Sequence, residues 1–168
     1  MPFILNFEPS SDEQMAKLGA IAVDAVAAMN VVFLQEHPQY TMPVWESGVL
    51  YDPPPVEYRS FTHGICGIPI VMSRGVAKCD SITAWDVAWR RMLGQNAYTG
   101  IIPQGGGLYH VVTFVDTNGD VQTFDASKSL GKFTGNGCLR SPNDITCCLL
   151  YTSPSPRDLS TSRMPSSA

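Results

Sequence analysis

Charge is scarce in this chain, and basic charge scarcer still. Charged residues make up 15% of its 168 positions, with 11 Lys and Arg against 15 Asp and Glu, a net charge of −4 and a pI near 5.2. No Lys/Arg-rich run occurs, so the composition argues against a nucleic-acid surface. Long apolar runs are lacking too. The longest, residues 18–34, contains Gly19 and Asp24 and is shorter than a typical membrane span, so a packed helix is expected there and no membrane segment. The opening MPFILNFEPSSDE has no basic region and turns acidic early, which is unlike a signal peptide. The five cysteines, Cys66, Cys79, Cys138, Cys147 and Cys148, are odd in number and form no C-x-x-C. No disulfide framework is expected, and the pattern fits a reducing compartment. His63 and Cys66 have a metal-like spacing but no second pair, and zinc needs four ligands. Gly105-Gly106-Gly107 is followed by no Lys-Ser/Thr and is not a phosphate loop. Neither a metal nor a cofactor is expected.

What is present is enough apolar material, 44% of residues, for one domain with a real core. Ser10, Ser11 or Asp12 can cap a helix over 12–36, with Met15, Leu18, Ala22, Val26, Met29 and Phe33 as its apolar stripe and His37-Pro38 as its end. A short strand is expected at 49–51. The segment around WESGVLYDPPP reads as a stiff loop that serves either as a cleft wall or as surface packing. Residues 95–108 read as a loop. Residues 109–115 alternate as a strand, with His110, Val112 and Phe114 on one face, and 121–124 form the return strand of an Asn-Gly hairpin. With Asn118-Gly119 as the turn, Asp125 falls opposite Val112 and diagonal to His110. With Thr117-Asn118 it falls directly opposite His110. Either register puts both side chains on one face.

The chain is organised around residues 74–94, RGVAKCDSITAWDVAWRRMLG. Ile82, Trp85, Ala88, Trp89 and Met92 recur at helical spacing and predict a buried face. Asp80, Asp86, Arg90 and Arg91 fall largely off that stripe, and Asp86 can pair with Arg90 at i, i+4. Gly94 is placed to stop the helix. Cys79 is then in the first turn, where unpaired N–H groups and the helix dipole favour a thiolate. A thiol that attacks an amide needs a base to move its proton and a group to orient that base. His110 can supply the imidazole and Asp125 can fix its tautomer. Taken singly, each residue reads as blandly structural: a small buried residue, a strand residue and a turn-starter. The helix-start placement and the hairpin parity together favour a Cys79–His110–Asp125 triad.

At these residues the sequence resembles the transglutaminase-like superfamily of the papain-type thiol fold. RGVAKCDSITAWDVAWRRMLGQNA matches its nucleophile helix, and YHVVTFVDTNGDVQTFDAS matches its histidine and aspartate strands. The resemblance implies an α+β fold: a papain/transglutaminase-like core with the nucleophile helix packed on an antiparallel sheet, plus an additional N-terminal helix. Residues 1–37 would hold that helix and 38–140 the catalytic core. Residues 141–168 would be a disordered tail, artefactual from about 147, since its end resembles translated sequencing-adapter read-through. The implied activity is thiol-dependent acyl transfer on an amide substrate, either hydrolysis of peptide or isopeptide bonds or transglutamination. Cys79 would be the nucleophile, His110 the base and Asp125 the orienting acid. The oxyanion donor would be the Cys79 backbone N–H or a side chain from residues 45–58.

More narrowly, the order of WESGVLY, C-D-x-x-x-x-W, Y-H-V-V and D-x-S-x-x-L-G is similar to small transglutaminase-like proteins of tailed phages, some of them virion or assembly proteins. That implies a peptide or protein substrate or phage structural partners, in the cytoplasm of a bacterial host or on the virion. Lys78 stands where those relatives carry an acidic residue, Asp86 where arginine is common and Ala126 where proline is common. A cell-wall peptide hydrolase is a weaker match, because its second histidine has no counterpart: His37 and His63 precede the nucleophile.

Overall fold

A computed structural model describes residues 3–4, 11–52, 64–105, 108–131 and 149–150. Among them the fold is α+β, with three α-helices, a three-stranded antiparallel sheet and two parallel strand pairs. His63, Cys138, Cys147, Cys148, the prolines at 53–55 and Gly106-Gly107 lie outside the described residues. Of the tail at 141–168, Leu149–Leu150 (β7) is described, paired in parallel with Phe3–Ile4 (β1).

Helix α1 spans Asp12–Glu36, as expected. The Ser11 hydroxyl accepts the Gln14 N–H at 3.2 Å, and Asp12 and Glu13 face the positive end of the helix dipole. The helix ends at His37, one residue before Pro38, with the His37 N–H on the Phe33 carbonyl. Its buried face is not the expected stripe. Ala22 and Val26 are buried, but Val23, Ala27 and Leu34 accompany them and Met29 is 49% exposed. The helix is apolar on nearly every side, so helical periodicity fits several stripes and does not choose among them. By length and composition α1 could cross a membrane. Here its buried face packs on α3 (Cys79–Met92) and β4 (Asn96–Gly105).

Leu50–Tyr51 (β2) runs parallel to Val76–Ala77 (β3), with Tyr51 opposite Ala77. Between them lies α2, Ile68–Arg74, which the sequence reading did not anticipate. Its seven residues carry less than two full apolar repeats, and the Ile-Pro-Ile-Val run looks β-branched. Pro69 suits a first helical turn, and the Asn30 side chain caps it from α1, accepting the Ile68 N–H at 3.0 Å.

Helix α3 begins at Cys79 and closes before Gly94, whose φ is +77°. Ile82, Trp85 and Ala88 are fully buried, and the Trp85 indole N–H donates to the Met42 carbonyl at 3.1 Å. Trp89 and Met92, expected on the same face, are half-buried. Asp80, Asp86 and Arg90 fall off that stripe and are buried all the same. The cause is position: α3 is packed between α1, the sheet and a 3-10 turn at Ala126–Ser129. The expected Asp86–Arg90 pair forms at 2.9 Å, inside the protein, with the guanidinium 3.9 Å from the centre of the Phe124 ring.

The sheet order is β4-β5-β6, with β5 at Leu108–Thr117 and β6 at Asp120–Phe124. Strand β4 replaces the loop expected at 95–108. Its two glycines and a proline weaken the strand signal, but nine of its ten residues pair with β5, with a register shift between Pro103 and Gly105. Gly100 has a packing reason, because a Cβ there would run into the Phe114 ring on β5. Asn118 and Gly119 both have positive φ, +55° and +94°, and form the two-residue turn. Thr117 therefore pairs with Asp120 and Thr113 with Phe124, the register expected for an Asn118-Gly119 turn, and Asp125 follows directly on the last pair.

Candidate active site

Beyond Phe124 the chain leaves the sheet, and the edge of β5 at Val111 loses its β6 neighbour. The first turn of α3 takes that place. The Thr83 hydroxyl donates to the Val111 carbonyl at 3.1 Å, and the Val111 N–H faces the Cys79 sulfur. The structure thus seats the candidate nucleophile against the residue that follows His110 in the chain. Among the described residues no hydrogen bond joins the sulfur to the His110 ring; the Val111 amide is the link between them.

His110 and Asp125 meet directly. The ring Nε2 lies 2.8 Å from Asp125 Oδ2, with both side chains largely buried. A carboxylate at Nε2 holds the proton on that nitrogen in the neutral ring, which leaves Nδ1 with the free lone pair. Asp125 does occupy the N-cap position of the 3-10 turn, as a turn-starter would, but its side chain makes no capping bond there. Its Oδ1 instead accepts the Ser127 hydroxyl at 2.6 Å. Lys128 approaches Oδ2 at 3.4 Å from an 82% exposed position, where solvent screens it. Burial raises the Asp125 carboxyl pKa. The hydrogen bonds from Ser127 and His110, the His110 charge and Lys128 more than offset that and bring it below its ordinary value.

The thiol runs against expectation. Its place at the first turn of α3 is as expected, and the N–H groups of Val111, Asp80 and Cys79 itself favour a thiolate. Burial first, and the adjacent Asp80 carboxylate second, outweigh them and push the Cys79 pKa up to about 12. Asp80 is held where it is by the Ser81 N–H at 2.6 Å and the Ser81 hydroxyl at 3.0 Å. Cys79 alone is therefore a protonated thiol, whose ionisation needs a base.

Two residues were not assigned by sequence reasoning. Ser127 is one; only its place in the D-x-S-x-x-L-G string marked it. Tyr51 is the other, inside the 45–58 stretch set aside for an oxyanion donor. Its β2 register sets it opposite Ala77, two positions before Cys79, and it packs against the two buried apolar clusters of the core, one including Val87 and Val111 and the other Trp85 and Ala126. Burial pushes its phenol up to about 12, with the carboxylates of Asp125, Asp80 and Asp52 adding to the shift, so it stays a hydrogen-bond donor. Cys66, the other cysteine among the described residues, is buried beside Arg74, whose Nη1 is 3.4 Å from the sulfur. No group of three or more His, Cys, Asp or Glu that could hold a metal occurs among the described residues.

No family model matches this chain, and neither a curated protein nor a solved structure matches it at a significant level.

Proposed function

We propose that this chain is a thiol acyl-transfer enzyme of papain/transglutaminase-like architecture, acting on amide bonds of peptides or proteins through Cys79, His110 and Asp125. The observation that carries this reading is the 2.8 Å contact between His110 Nε2 and Asp125 Oδ2, beside a helix that starts at a cysteine. That contact leaves Nδ1 as the ring's base.

His110 Nδ1 takes the proton from Sγ as sulfur attacks the carbonyl carbon, and the carbonyl π electrons move onto oxygen. The Cys79 N–H and the Tyr51 hydroxyl are the candidate donors for that oxyanion. Collapse breaks the C–N bond. The departing amine takes the proton from the imidazolium, and a thioester remains on Cys79. Water, deprotonated by His110, then attacks the thioester carbonyl. The Cys79 thiolate leaves and recovers its proton, and an acid is released. An amine in place of water gives a new amide. Water is always present at high concentration, which favours hydrolysis. Because the thiol pKa is near 12, proton transfer must accompany attack, with no standing thiolate.

The test is acylation by an activated ester. The folded chain should gain one acyl group on Cys79, faster than on Cys66 or Cys138, and His110→Ala should slow that step. Equal labelling of Cys66 and Cys79 would overturn the proposal.

The burial of Cys79 favours a second reading, in which the chain is a virion or assembly protein of a tailed phage with a retained but little-used triad. Cys79 would then acylate only after the chain is unfolded in urea.

A further inference from the structure

We infer that Ser127 is a positioning residue for the His110–Asp125 pair: its hydroxyl locks the rotation of the Asp125 carboxylate, and through it the tautomer of His110. The inference rests on the catalytic reading above and extends it to a residue outside the triad.

A carboxylate held through one oxygen can still turn about its Cβ–Cγ bond, a torsion with broad, roughly two-fold wells. Here both oxygens are held, Oδ2 by His110 at 2.8 Å and Oδ1 by Ser127 at 2.6 Å. Such short contacts to an ionised oxygen are the stronger class of hydrogen bond. The other available anchor is weak, since Lys128 sits 3.4 Å away on a solvent-exposed stem. Ser127 is 6% exposed, so water does not compete freely for its hydroxyl.

The backbone supplies the placement. Asp125 leads into the 3-10 turn, its carbonyl accepts the Lys128 N–H at 3.2 Å, and Ser127 comes round inside that turn. A serine two residues after the aspartate reaches back to its carboxylate, which makes no capping bond to the turn's own backbone. The turn therefore serves to aim the carboxylate at the sheet. A purely structural Ser127 would stabilise the turn and leave the ring of His110 indifferent to its removal.

The experiment compares the full chain with Ser127→Ala and Ser127→Thr. Two quantities are read: the ring 15N shifts of His110 at a pH where the ring is neutral, and the rate of Cys79 acylation by a p-nitrophenyl ester. The expected result is a neutral ring protonated at Nε2 in the parent. In Ser127→Ala a larger Nδ1–H share and acylation slower by roughly tenfold are expected, both restored in Ser127→Thr. Should Ser127→Ala not fold, Ser127→Cys keeps the volume with a weaker donor and reads the same quantities. A tautomer ratio unchanged from the parent overturns the inference, whatever the rate does. A shifted tautomer with an unchanged rate sustains the positioning role and overturns the catalytic reading on which it rests.

Discussion

Replacing Asp125 by Asn removes one charge and makes two hydrogen-bond donors compete for one acceptor. In the parent, Oδ2 accepts from His110 and Oδ1 from Ser127. The amide has a single carbonyl oxygen. If it turns to Ser127, its NH2 faces Nε2, which must then be the bare nitrogen, and Nδ1 carries the proton and cannot act as base. If it turns to His110, the NH2 meets the Ser127 oxygen, which can accept it, and the useful tautomer survives. Charge decides the rest. As His110 takes the thiol proton it becomes an imidazolium, and a carboxylate about 4 Å from that charge is worth about 4 kcal/mol at an effective dielectric constant of about 20. The Asp125 side chain is 13% exposed, so solvent weakens this only in part. At about 1.36 kcal/mol per tenfold, loss of 3–4 kcal/mol slows the reaction by roughly 10²- to 10³-fold, and a share of wrong tautomer slows it further. The assay is single-turnover acylation of Cys79 by a p-nitrophenyl ester, with Cys79→Ala as baseline and circular dichroism as the check on folding. A folded Asp125→Asn chain that acylates within threefold of the parent would refute the reasoning and reduce the site to a Cys–His dyad.

Three further outcomes follow from the same geometry. Asp80→Asn removes the charge that, after burial, raises the Cys79 pKa most, while keeping an acceptor for the Ser81 N–H. The midpoint of the pH dependence of Cys79 alkylation should move down, and a midpoint that stays or rises would show that Asp80 does not act on the thiol. Asp86→Ala strands the Arg90 guanidinium in a buried site and should cost about 3–5 kcal/mol in urea unfolding, whereas a loss below about 1 kcal/mol would mean that Arg90 is solvated. Asp125 has a folded pKa below its ordinary 3.8, so its ionised contacts add stability above that value and lose it as pH falls through the lower folded one. The stability difference between the parent and Asp125→Asn should therefore hold steady near neutrality and shrink at pH values below 3.8, as read by urea titrations at several pH values. A difference that grows on acidification would contradict the sign.

How far the sequence could carry this argument depended on whether a signal was local. The start of α1 at Ser11 and its end before Pro38 are written in single residues, as is the hairpin turn at Asn118-Gly119. The parity of the strand puts Asp125 and His110 on one face in either expected register, and the positive φ of Asn118 and Gly119 then shows which register holds as far as Phe124. What was not legible depends on neighbours distant in the chain. Strand β4 carries Gly100 because the Phe114 ring lies over it, and without β5 that glycine reads only as a breaker. Met29 could not be assigned outward until α3 and β4 chose a face of α1. The burial of Asp86 and Arg90 was hidden in the same way, since the two pair with each other and a buried pair leaves no mark on the helical period.

The thiol shows the deepest form of this limit. Placing Cys79 at a helix start follows from local pattern, and the N–H groups expected there do face the sulfur. The sign of its pKa shift is decided by how tightly α3 is packed on β5 and by a carboxylate one residue away. A helix terminus contributes a fraction of a kcal/mol to about 2 kcal/mol, whereas desolvation of a charged group costs several, so burial dominates at Cys79. This also explains why the orientation of His110 matters more here than in an exposed site. A preformed thiolate would need the ring only to receive a proton at leisure. On the proposed mechanism, a buried thiol pushed up to about 12 hands its proton to Nδ1 as attack begins, and that reading puts the Asp125 carboxylate and the hydroxyl that aims it into the barrier itself.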